Sequence, residues 1–116
     1  MQTMQDNNEY LKYYLESIFF LGKLRLDAIE TMARYKGQGD EYIQCSFDAA
    51  DEDYKEGYVT LYFWEPAVKE DVIVWVENSR FFASLVDVCN ETIEKYPKTK
   101  KGLEENLQKI KQHLDL

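Results

Sequence analysis

Twice along this chain the spacing of apolar residues changes period, and few folds accommodate the change. Leu11, Leu15 and Ile18, joined by Tyr14, Phe19 and Leu21, recur at three- and four-residue intervals, which predicts an amphipathic helix over about 8–22 with Gly22 at its end. Leu26, Ile29, Met32 and Ala33 mark a second helix over about 24–36, stopped by Gly37-Gln38-Gly39. The period then falls to two. Ile43, Cys45 and Phe47 alternate with more polar neighbours over 41–47, and Val59, Leu61 and Phe63 alternate with Tyr58, Thr60, Tyr62 and Trp64 over 57–64. The stretch DVIVWVE over 71–77 reads as a third strand. Helical spacing returns in Phe82, Leu85, Val86, Cys89, Ile93 and Tyr96 over 79–96, with Asn78 or Ser79 as a cap and Pro97 at the end. Behind Thr99 as a cap, Leu103, Leu107, Ile110 and Leu114 define a last helix over 99–114. Residues 1–8 are polar and expected to fray.

Helices before and after a run of closely connected strands imply an α+β fold: a small antiparallel sheet of three to four strands, with N-terminal and C-terminal helices packed on one face. At 116 residues the chain is expected to form a single domain, 1–116. One sheet face then carries Val59, Leu61 and Phe63 into the core. The other shows Tyr58, Tyr62 and Trp64, with Trp75 or its neighbours, to solvent or to a partner.

Charge is distributed unevenly over this plan. The net charge is −8, yet residues 40–77 hold eleven acids against Lys55 and Lys69, a net of −9, while the remainder holds eleven acids and twelve bases. Solubility needs no such segregation, and crowding like charge costs stability through self-repulsion. Aromatic rings lie among the acids. Rings that can be desolvated, ringed by charge that steers, suit a protein interface for a basic partner. The expected partner-binding set is Asp48, Asp51, Glu52, Asp53, Tyr54, Glu56, Tyr58, Tyr62, Trp64, Glu65, Glu70 and Asp71. Direct contact with nucleic acid or an anionic membrane is excluded by the same charge.

Catalytic signatures are missing. His113 is the one histidine and lies in the last predicted helix, where a solvated role is expected and no nucleophile triad can be built around it. Counting from Asp51, the calcium-loop positions that require Gly and Glu hold Glu56 and Tyr62. No phosphate-binding glycine loop occurs. No cofactor, metal or catalytic residue is therefore assigned, although carboxylates of 40–77 could in principle serve a metal-dependent hydrolase. Cys45 and Cys89 sit in apolar patterns, as free buried thiols of a reducing compartment do. The start MQTMQDNNEY has neither the basic nor the apolar region of a signal peptide, and the chain is expected to be cytoplasmic.

The N-terminal apolar helix is followed by Gly37-Gln38-Gly39-Asp40, Tyr42–Asp48, an acidic loop, and Gly57–Phe63. Asp71–Val74, the pair Phe81-Phe82 and a C-terminal amphipathic helix complete the order. In that order and spacing the chain resembles the ribonuclease-toxin immunity proteins of contact-dependent growth inhibition (CDI) systems, CdiI. The resemblance implies an antidote, monomeric or in a 1:1 heterodimer. It would bind a cognate toxin's C-terminal nuclease domain, often one that attacks tRNA, and cover its active site or RNA-binding surface. Physically this fits, because a nuclease presents Lys and Arg to phosphates and an acidic protein can occupy that site instead. A general nucleic-acid mimic or adaptor for a basic housekeeping protein is the alternative.

Overall fold

A computed structural model describes residues 3–116, with side chains from Asn7 onward. Helix α1 spans Thr3–Ser17. It begins and ends earlier than the apolar spacing predicts. Residues 3–8 are helical rather than frayed (Met1 and Gln2 lie outside the described residues), and Asn7 is tied down, its Nδ2 donating to the Trp75 carbonyl at 3.1 Å. Beyond α1 the chain turns over in a hairpin instead of continuing as helix. Strands β1 (Phe19–Phe20) and β2 (Lys23–Leu24) pair through Leu21 and Gly22, both at positive φ (52° and 79°). Positive φ at both central residues matches the twist of a two-residue hairpin. Gly22 is thus a turn residue, and Leu21 is 85% exposed instead of lying on a buried stripe, with Phe20 beside it 67% exposed.

Helix α2 covers Leu26–Tyr35 and buries Ala28, Ile29, Met32 and Ala33; Leu26, expected in that stripe, is exposed and Leu24 is buried instead. The helix stops at Lys36, not at a glycine. Lys36 takes the left-handed conformation and its N–H closes on the Met32 carbonyl at 3.0 Å. The two glycines go on into strand β3 (Gly37–Gly39), which pairs with β4 (Ile43–Ser46). Strands β5 (Tyr58–Phe63) and β6 (Val72–Glu77) complete an antiparallel sheet of order β3-β4-β5-β6. The observed strands are shorter than the predicted 41–47, 57–64 and 71–77, their outer residues lying in bends, turns or irregular backbone.

Pairing sets Cys45, Leu61 and Val74 in one row, with Ile43, Phe63 and Val72 in the next. These inner-face residues meet the helices in a core that includes Tyr14, Ile18, Ile29, Met32, Phe81 and Leu85. Tyr14 links layers: its hydroxyl donates to the Gln38 side-chain oxygen and accepts the Cys45 thiol at 3.2 Å. Burial pushes the Tyr14 phenol well up, with Cys45 adding to it, and burial pushes the Cys45 thiol up to about 11. Both cysteines are free and buried.

Helix α3 (Asn78–Lys95) buries Leu85 and Cys89 of the expected stripe, but Phe81 and Thr92 take the inward positions expected of Phe82 and Ile93; Phe82, Val86 and Ile93 are half-buried at its flank and Tyr96 is exposed. A short 3-10 turn, Pro97–Thr99, leads to helix α4 (Lys100–His113), whose Leu103, Leu107 and Ile110 are buried, as is Leu114 just beyond it. The expected side-chain caps do not form. Asn78 Nδ2 donates to the Leu114 carbonyl at 3.2 Å, and Thr99 Oγ1 donates back to Tyr96 at 2.7 Å. His113 is not merely solvated. Its Nε2 lies 2.8 Å from the Ala33 carbonyl, which can only accept, so the proton sits on Nε2 and satisfies one of the last carbonyls of α2.

Leu21 carries a backbone conformation that a branched side chain disfavours and an exposed side chain that gains nothing from it. Replacing it with Asn, which tolerates that conformation and favours this turn, is expected to stabilise the protein by about 0.5–1 kcal/mol. Urea unfolding should show a higher midpoint with an unchanged slope; an unchanged or lower midpoint contradicts this account of the hairpin.

Candidate partner-binding surface

The acidic segment between β4 and β5 is a built loop. Asp48 Oδ1 accepts the Ala50 amide at 2.9 Å and Asp51 Oδ1 accepts the Asp53 amide at 3.3 Å, so successive aspartates curl the chain with their own side chains. Backbone bonds from Asp51 to Asp48 (3.0 Å) and from Tyr54 to Asp51 (3.1 Å) tighten it. The coil then folds over the outer face of the sheet. The Tyr62 hydroxyl lies 3.0 Å from Asp51 Oδ1 and 3.1 Å from Asp53 Oδ2, while Trp75 Nε1 donates to the Asp53 carbonyl at 3.0 Å. Thr60 Oγ1 reaches that same carbonyl at 3.4 Å.

This arrangement corrects the expectation that Tyr62 is displayed. Tyr62 is 8% exposed and Thr60 1%, because the loop is long enough to lie back along β5 and cover them. Of the other expected contact residues, Asp48, Asp51, Asp53, Tyr58 and Trp64 are half-buried, whereas Glu52, Tyr54 and Glu56 are exposed on the loop. Glu65, Glu70 and Asp71 are also exposed, but on the β5–β6 connection at the other end of the strand pair, where Asp71 Oδ1 accepts the Glu65 amide at 2.8 Å. Trp64 spans the interval, stacked on Tyr62 with centroids 5.5 Å apart. The acids therefore form two exposed groups with an aromatic bridge between them.

The charges around Tyr62 are arranged for one protonation pattern. Its phenol is raised above the ordinary tyrosine range by burial first and by the carboxylates of Asp51 and Asp53 next. Burial works against the Asp51 carboxylate, but hydrogen bonds from Ser46, from the Asp53 and Glu52 amides and from Tyr62 outweigh it and hold its pKa below the usual value. Sequence reasoning placed Thr60 on this outer face but did not bring Gln44 and Ser46 to it. Cross-strand pairing of Ser46 with Thr60 and of Gln44 with Tyr62 places them, and no single-strand pattern reveals the partner strand. A groove of about 420 Å³ runs between the loop and β3, lined by Gly37, Gly39, Gln44, Ser46, Asp48 and Asp51 among others.

Among the described residues no three His, Cys, Asp or Glu side chains converge as metal ligands, and no helix is long and apolar enough to cross a membrane. The surface offers exposed carboxylates on a loop held by hydrogen bonds to the sheet. A family model described as CDI immunity protein matches residues 7–107, and the chain belongs to that family. CDI immunity proteins bind and neutralise a cognate CDI toxin, a role fulfilled by association. Comparison with curated proteins and with solved structures finds no match.

Tyr62→Phe removes the proton held between two carboxylates. The expected cost is about 1.5 kcal/mol, the scale of a hydrogen bond to a charged group, with faster amide exchange at 51–54. Tyr62's raised pKa means its contribution is full below about pH 10 and is lost as pH rises through the folded value. Asp51's lowered pKa means its share is full above about pH 4 and is lost as pH falls through the folded value. The difference between wild type and variant should be largest between those limits; a pH-independent difference would show that the phenol does not hold the loop.

Proposed function

We propose that the toxin neutralised by this chain is a nuclease acting on RNA, tRNA included, and that the acidic face covers its active site or RNA-binding surface. One observation carries the reading: the loop turns Asp51 and Asp53 inward onto Tyr62 and Trp75 and leaves Glu52, Tyr54 and Glu56 outward. The protein thus holds the loop backbone in place before the partner arrives, with Glu52 and Glu56 exposed on it, and a preorganised surface loses less entropy on binding. The net of −9 over 40–77 supplies the long-range attraction toward a surface built for phosphates. Glu65, Glu70 and Asp71 extend the same field beyond Trp64. The chain acts in the cytoplasm as a binding protein in a 1:1 complex and catalyses nothing.

The first test is the product of the adjacent open reading frame, which should carry a nuclease domain that co-purifies with this chain. Undiminished RNA cleavage in the presence of excess purified protein would sink the proposal. Glu52→Lys with Glu56→Lys is expected to slow association about tenfold at low salt and to flatten its salt dependence, since rim charges act on the encounter rate. Tyr54→Ala should instead speed dissociation, by about 2 kcal/mol if the ring is an anchor. Stopped-flow rates unchanged in both variants, with folding intact, would place the interface elsewhere.

A further inference from the structure

A second concavity lies on the far side of the acidic loop, and its charge is opposite. It has a volume of about 550 Å³ and is lined by Asn7, Lys55, Tyr58, Trp75, Glu77 and Arg80 among others. Lys55, one of only two bases in the acidic segment, is held over the aromatic wall, its Nζ 4.5 Å from the Tyr58 ring centre and 5.8 Å from that of Trp75. Arg80, in the first turn of α3, lines the same concavity. Among the described residues the ion pairs are Arg25 with Asp27 and Arg34 with Glu30, so neither Lys55 nor Arg80 is paired, not even with the neighbouring Glu77. The first turn of α3 contains no acid, and the one carboxylate at its start, N-cap Glu77, makes no capping hydrogen bond, so the concavity is lined by two cations and one acid.

We propose that this concavity is a socket for one aspartate or glutamate side chain of the toxin domain, and that it sets register and partner choice at the interface. The inference rests on the reading of the acidic face as toxin-binding. A uniformly acidic surface attracts any basic protein and discriminates poorly among them. Two unpaired cations within that surface change this. A partner with a carboxylate at the matching point gains a charge-assisted contact against an aromatic wall, and one with Lys or Arg there meets like charge as the site desolvates. Lys55 is already ordered by its stacking on Tyr58 and Trp75, so little side-chain freedom is lost when the carboxylate arrives.

The test turns on a sign. If the interface is only acid on base, making this face more negative leaves affinity unchanged or raises it. The socket requires the reverse: Lys55→Glu with Arg80→Glu should weaken binding to the isolated toxin domain by at least about 30-fold, mostly through faster dissociation. Lys55→Met with Arg80→Met keeps the apolar stems over the rings, guards against misfolding as the cause, and should weaken binding by a smaller factor. Scanning toxin Asp and Glu residues to Lys should find one change that restores binding to the Glu variant. Equal or tighter binding by the Glu variant overturns the socket. So does a Lys55- and Arg80-dependent stabilisation of the free chain by inorganic phosphate with toxin affinity unaltered, which would mark a small-anion site. Failure of the unaltered protein to bind any toxin domain overturns the immunity reading and this inference together, whereas normal binding by the unaltered protein and by the Glu variant alike removes the socket alone.

Discussion

A single phenol held between two carboxylates governs the sheet's outer face. Without the Tyr62 contacts to Asp51 and Asp53, the β4–β5 segment would be a like-charged tether repelling itself into solvent, and Thr60, Tyr62 and Trp75 would lie bare beneath it. With them, repulsion within the segment is offset locally, by hydrogen bonds to the ionised groups and by the Trp75 indole on the Asp53 carbonyl. The loop thereby serves as the sheet's third layer as well as its charged surface. The loop supplies Asp48, Ala50 and Asp51 to the groove toward β3 and Lys55 to the concavity toward α3.

Much of the scaffold was legible in the residues, for a physical reason. Strand alternation in Tyr58–Phe63 and the spacing of Leu103, Leu107 and Ile110 are one-dimensional signals of burial, and burial is what the fold satisfies first. The signal failed where two periods coexist. Phe19, Phe20 and Leu21 continue an apolar run at the end of α1, so spacing alone extends the helix through them; the decisive feature is the pair of positive φ angles at Leu21 and Gly22, which hydrophobicity does not encode. Gly37 and Gly39 misled in the same way. Glycine marks freedom to leave a helix, and here Lys36 made that exit while the glycines joined a strand.

The candidate surface was legible in composition but not in direction. Acid and aromatic residues clustered at 48–71 are visible at once, yet that Asp51 and Asp53 face inward and Glu52 outward depends on where a loop returns, and that is settled by contacts with residues of another strand. Tyr62 and Trp64 sit at the same parity in the sequence, and only one of them is covered. Arg80 could not be found by composition at all, since it lies outside the acidic segment and reaches that region only because α3 starts directly where β6 ends.

Along the coil from Asp48 to Glu56, positions that hold the loop and positions that face outward largely take turns: Asp51 and Asp53 are fastened to the sheet, and Glu52, Tyr54 and Glu56 are not. On the proposed reading, support and recognition are therefore carried by different side chains within a few residues of each other. An antidote matched to one toxin must be able to change its reading head as the toxin changes. Here the outward letters can be rewritten one at a time while the inward ones keep the page flat.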